Sequence, residues 1–97
     1  MRQHNPMHPG EWLKETYLIP LEIPAYRVAE ALGVAPSTFS RILNSKAPIT
    51  ADMAIRLSKV LGRTPESWIL MQTNWDLWKA AQHNNHENLK RLPVLST

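Results

Sequence analysis

Ser37, Thr38 and Arg41 lie one, three and four residues apart, so a helix through them shows all three on one side. A hydroxyl donates and accepts at short range, and a guanidinium carries five donors in a planar fork. That set suits a surface bearing paired acceptors, such as the edge of guanine in a major groove, where short side chains let a helix come close. The same three residues could also be ordinary solvated surface. The elements that hold them decide between the two.

Other chemistries find little support. The carboxylates Glu11, Glu15, Glu22, Glu30, Asp52, Glu66, Asp76 and Glu87 are scattered and face no recognisable nucleophile or base, so no enzyme is expected. Gly10, Gly33 and Gly62 are too far apart to make a phosphate-cradling loop. His4 and His8 have helical spacing but Pro6 lies between them, and His83 and His86 sit in an Asn-rich stretch. With no cysteine and no carboxylate cluster beside these histidines, no metal and no cofactor are expected.

The chain has 97 residues, 43% of them hydrophobic, enough for one domain with a single core. No apolar run reaches membrane length, and MRQHNPMHPG lacks the apolar core of a signal peptide, so a cytoplasmic protein without membrane contact is expected. The absence of cysteine fits that reducing compartment. The formal charge of +3 is uneven, with 8 Lys and Arg against 5 Asp and Glu before residue 64, and 3 against 3 after it. An anionic partner would therefore meet the first two-thirds of the chain.

Helical periodicity dominates the pattern and implies an all-α fold. A first helix is expected from Pro9 to about Tyr17, ended by IPLEIP, whose Pro20 and Pro24 cannot lie inside a helix. A second runs from Ala25 to Leu32 and stops at Gly33, and a third runs from Pro36 to near Asn44. Thr50 caps a fourth through Leu61, and Thr64-Pro65-Glu66 opens a fifth reaching about Gln82.

Counted from Ala25, small Ala29 falls fifth and Gly33 ninth, while Val28, Leu32, Val34, Phe39 and Ile42 take the inward positions. Two helices crossing steeply over a short turn need a small side chain where they touch and a residue free of the Cβ penalty in the turn. This is a helix-turn-helix unit, and it leaves Ser37, Thr38 and Arg41 outward as base-reading candidates. Arg56 on the fourth helix is expected to pair with an acid such as Glu30.

From Met7 to Trp78 the sequence resembles the HigA family of antitoxins, through HPGEWLKE, ITADMAIRLSKVLG and SWILMQTNWDLW. The resemblance implies a five-helix, lambda-repressor-like domain that dimerises on a palindromic operator in its own promoter. It also implies a toxin partner of the HigB type, a ribosome-dependent mRNA endonuclease. It assigns Ser37, Thr38 and Arg41 to the base-reading face, and Asn44, Ser45 and Lys46 to a loop on the DNA phosphates. Tyr26 and Arg27, opening the second helix, are further phosphate candidates. The sequence departs from the family at Pro24 and Ala25, where a Ser or Thr cap and a polar residue are common. Phosphate contact at that helix end would rest on backbone amides. Two alternatives remain beside this reading: a regulator with no toxin, and a toxin-binding module whose DNA binding is vestigial.

The fifth helix is apolar on two sides. Trp68, Met71, Trp75 and Trp78 share one stripe, with Leu70 and Leu77 opposite. One helix cannot bury both against so small a core, so these six residues are candidates for a homodimer interface, and the sequence leaves open which stripe meets the partner. The expected organisation is an N-terminal extension over 1–8, the domain over 9–82 with its dimerisation helix, and a tail over 83–97.

Overall fold

The computed structural model describes residues 5–93. Among them are five α-helices and no strand: α1 (Pro9–Leu13), α2 (Ala25–Leu32), α3 (Pro36–Leu43), α4 (Ala51–Val60) and α5 (Pro65–His83). The start signals act as the sequence suggests. Thr50 Oγ1 accepts from the Met53 N–H at 3.2 Å, and Thr64 Oγ1 accepts from the Ser67 N–H at 3.1 Å.

The first helix departs from expectation. It is α-helical only to Leu13, and Lys14–Leu18 widens into a π-helical turn, with the Ile19 N–H bonded to the Lys14 carbonyl at 3.0 Å. A π turn brings residues five apart onto one side, and both Leu13 and Leu18 are buried. The start is also tighter than expected. His8 is buried as the N-cap, its Nδ1 accepting from the Gly10 N–H at 2.9 Å, so this last residue of the expected extension belongs to the packed domain.

α2 ends as the glycine requires. Gly33 adopts φ 74°, its N–H bonds the Glu30 carbonyl at 3.1 Å, and the Val34 N–H bonds the Ala29 carbonyl at 3.0 Å. These paired bonds satisfy carbonyls the helix would otherwise leave open. Arg56 does not pair with Glu30. Its Nε bonds Asp52 Oδ2 at 2.8 Å, one turn away on the same helix, and its Nη1 donates to the Leu32 carbonyl at 2.7 Å. The guanidinium thus caps the end of α2.

Leu13, Val28, Ala29, Phe39, Leu57 and Trp68 form the centre of the core. Trp68 corrects an expectation. It is 0% exposed, with its indole N–H donating to the Gly62 carbonyl at 3.0 Å, and so it cannot meet a partner chain. Trp12 packs edge-on against it, with ring centroids 5.7 Å apart. Gly10 brings α1 directly onto the end of α3, because a Cβ there would overlap the Ile42 carbonyl oxygen.

Candidate nucleic-acid interface

α3 buries Phe39, Ile42 and Leu43 and leaves Ser37, Thr38, Ser40 and Arg41 exposed. Its sequence alternates apolar and short polar residues at helical spacing, so one rotation satisfies the core and leaves the hydroxyls and guanidinium outward. Ala35 precedes the helix without a side-chain cap, and Pro36 supplies the first turn.

The exit from α3 repeats the exit from α2 with a different residue. Ser45 takes the left-handed conformation at φ 60°. Its N–H bonds the Ile42 carbonyl at 3.1 Å, and the Lys46 N–H bonds the Arg41 carbonyl at 2.8 Å. Arg41 Nη2 donates to the Lys46 carbonyl at 3.2 Å, and Asn44 Nδ2 donates to Ser40 Oγ at 3.3 Å. Asn44, Ser45 and Lys46 are exposed and contiguous with the outward face of α3. Arg41 keeps the remaining donors of its fork unused by these bonds. Tyr26 and Arg27 are exposed on the first turn of α2, whose N-cap Pro24 offers no side-chain oxygen.

Cations are divided between internal use and display. Arg56 is committed to Asp52 and Leu32, and the Arg63 guanidinium lies 4.9 Å from the Trp12 ring centroid. Among the described residues no carboxylate pairs with Arg27, Arg41 or Lys46. Positive charge therefore stays available on and beside the α2–α3 unit.

The loop after α3 is held from behind by α5, which the sequence analysis did not foresee. The Ile49 N–H donates to Gln72 Oε1 at 2.7 Å, and Gln72 Nε2 donates to Asp76 Oδ1 at 2.9 Å. Gln72 is only 5% exposed. The available signal was a single amide standing four residues after Trp68 in an otherwise apolar stripe. Beside it, the His8 ring meets Trp75 edge-on with centroids 4.9 Å apart. Burial lowers the His8 pKa, against the opposing pull of Asp76 and Glu11.

A family model of helix-turn-helix proteins matches residues 16–69. Antitoxin HigA-1 of Vibrio cholerae is 38% identical over 85 residues, covering 88% of this chain and 80% of that protein. The chain belongs to the HigA-type helix-turn-helix family. Virulence-associated protein I of Dichelobacter nodosus is 42% identical over 83 residues, covering 86% of this chain and 77% of the relative. The solved structure of antitoxin GraA in complex with its operator superposes with a TM-score of 0.85 at 39% identity, covering 97% of this chain and 99% of that one.

On α5 of this HigA-type chain, the two apolar stripes take different places. Met71 packs against the core beside Trp68, and Trp75 and Trp78 are half-buried. Leu70 and Leu77 face outward, 59% and 44% exposed. Leu70 borders an apolar groove of about 500 Å³ between α4 and α5, lined also by Ala54, Ile55, Pro65 and Ile69.

Among the described residues no three His, Cys, Asp or Glu side chains are grouped to hold a metal ion, and no helix is long and apolar enough to cross a membrane. His83 Nδ1 lies 3.3 Å from the Lys79 carbonyl, and His86 is exposed in the tail. His4 and residues 94–97 lie outside the described residues.

Proposed function

We propose that this protein is a sequence-specific transcriptional repressor that binds a palindromic operator upstream of its own operon and neutralises a HigB-type toxin. The observation that carries the DNA-binding half is the outward face of α3, where Ser37, Thr38 and Arg41 stand free of the core beside the unpaired cation Lys46. The likeness to GraA, solved with its operator, supports the same reading. Arg41 would fork onto a base edge while Ser37 and Thr38 let α3 settle close to the groove floor. Lys46, Asn44, Ser45 and Arg27, with the amides opening α2 and the nearby Tyr26, would hold phosphates and supply a salt-dependent affinity.

A palindrome needs two copies of α3 about 34 Å apart. The reading therefore includes a homodimer, formed through the outward leucines of α5 and the groove beside them. Leu70 projects from α5 and lines that groove, so in a twofold contact the Leu70 of each protomer would meet the apolar groove of the other. Trp75, Trp78 and Met71 would border or back the contact. No catalytic step is part of this reading, and a protein that reads its own operon works in the cytoplasm beside that DNA.

The test is binding to a labelled fragment from upstream of the operon and to an unrelated fragment, each at two salt concentrations. Tight binding to the upstream fragment alone, with one dimer per inverted repeat, is the expected result. Weak binding to both, erased by salt, would replace it with the toxin-binding module, a reading that the uncapped start of α2 at Pro24 favours. Co-purification with the product of an adjoining small gene tests the toxin half. A lone gene with no such neighbour would leave a regulator without a toxin.

A further inference from the structure

A buried amide is costly unless both of its ends are bonded. Gln72 meets that condition with two partners of different kinds, a backbone N–H in the loop after α3 and a carboxylate on its own helix. The loop partner explains why leucine would not serve. Ile49 precedes α4 in non-helical chain and is itself buried, so without Gln72 its N–H would be an orphan donor. Asp76 settles the orientation. It accepts only from the amide nitrogen, so the amide oxygen is turned toward Ile49.

The loop held this way connects directly to the outward face of α3. Its Lys46 carbonyl accepts from the Arg41 guanidinium, and its Lys46 N–H bonds the Arg41 carbonyl. We infer that Gln72, oriented by Asp76, is a positioning residue for DNA binding: by fixing the main chain at Ile49 it sets where Lys46 and Arg41 stand. The inference rests on the operator-binding reading and deepens it. It also gives α5 a second task beyond the dimer contact, since the helix that would space the two protomers also holds the loop that would grip the phosphates.

The experiment uses the full chain with Gln72→Met, which keeps length and removes the acceptor. In the free protein the Ile49 amide should exchange with solvent about tenfold faster or more, since its only acceptor is gone. On the upstream DNA fragment, affinity should fall about tenfold while circular dichroism and sedimentation show a folded dimer. The deciding measurement repeats Gln72→Met in an Arg41→Ala, Lys46→Ala background at low salt. There it should weaken binding by less than about twofold, because the groups it positions are absent. Equal losses in both backgrounds would mean a general structural role and overturn the inference. So would an unchanged Ile49 exchange rate, whatever the DNA result. If Gln72→Met fails to fold, Asp76→Leu and Asp76→Asn carry the test. The first should reproduce the affinity loss and the second, which keeps an oxygen acceptor, should restore it; no loss in Asp76→Leu overturns the inference. Wild-type protein that ignores the upstream fragment removes the operator-binding reading itself, while the exchange measurement still judges the hydrogen bond.

Discussion

α3 and α5 lay one side each on the same core and treat the other side in opposite ways. α3 turns hydroxyls and a guanidinium outward, and α5 turns out Leu70 and Leu77. An outward polar face costs a monomer almost nothing in water, so its composition is free to answer to a ligand. An outward apolar face leaves hydration cost unrelieved, at about 25 cal/mol per Å² of surface, until another surface covers it. The inward sides differ too. α3 is purely apolar there, whereas α5 carries one amide bonded to the loop beyond α3. The helix with the simple interior is the one proposed to read DNA, and the helix with the mixed interior supports it.

The sharpest way to break this comparison is to cut the two sides of α5 separately. Trp68→Ala should destabilise the protein by about 3–5 kcal/mol in urea unfolding, through a large cavity and the lost bond to Gly62. Leu70→Ser, two residues on, should leave the fold intact and shift sedimentation from dimer toward monomer. If both variants unfold the chain alike, the outward leucines are structural and the interface lies elsewhere.

Gly10→Ala should cost about 3 kcal/mol by the same measurement, because the added methyl must displace the backbone of α3 at Ile42. On the outward face of α3 the effects should appear in binding and not in stability. Arg41→Ala should lose about 1–3 kcal/mol of discrimination between operator and unrelated DNA, read by competition gel shift. Lys46→Ala should weaken all sequences alike and lower the slope of log affinity against log salt by about one. An Arg41→Ala protein with full discrimination would remove α3 from base reading.

The smallest effect concerns pH. His8 is held neutral, with Nδ1 accepting from Gly10 and its pKa lowered by burial from the ordinary 6.5. The unfolded chain therefore binds the proton first, so stability is full above that value and falls as the pH drops through 6.5 toward the lower folded pKa. Urea unfolding between about pH 7 and about pH 5 should show this decline, and His8→Asn, which can still cap the helix without titrating, should flatten it.

Much of the fold was legible because its signals are local. Thr50 and Thr64 cap the helices they were expected to cap, and Gly33 ends α2 with a left-handed turn. Phe39 and Ile42 turn inward, leaving Ser37, Thr38 and Arg41 outside. The misses have a common cause. Lys14, Glu15 and Leu18 favour an α-helix, yet burying both Leu13 and Leu18 selects a wider turn. Arg56 could reach several acids by sequence, and the nearest one together with a free carbonyl of α2 won.

The amino-acid sequence by itself determined where α2 to α5 begin and end and which residues α3 shows to solvent, since caps, glycines and periodicity act within a few residues of chain. It could not decide which stripe of α5 faces inward, because both are apolar and either would satisfy a helical period. Only packing against α1 and α4 chose Trp68 for the core and left Leu70 outside. Tertiary structure alone also brought Gln72 to Ile49, a bond between residues 23 apart in sequence that no local pattern encodes. A hydrogen bond at that distance exists only once the helices around it have packed.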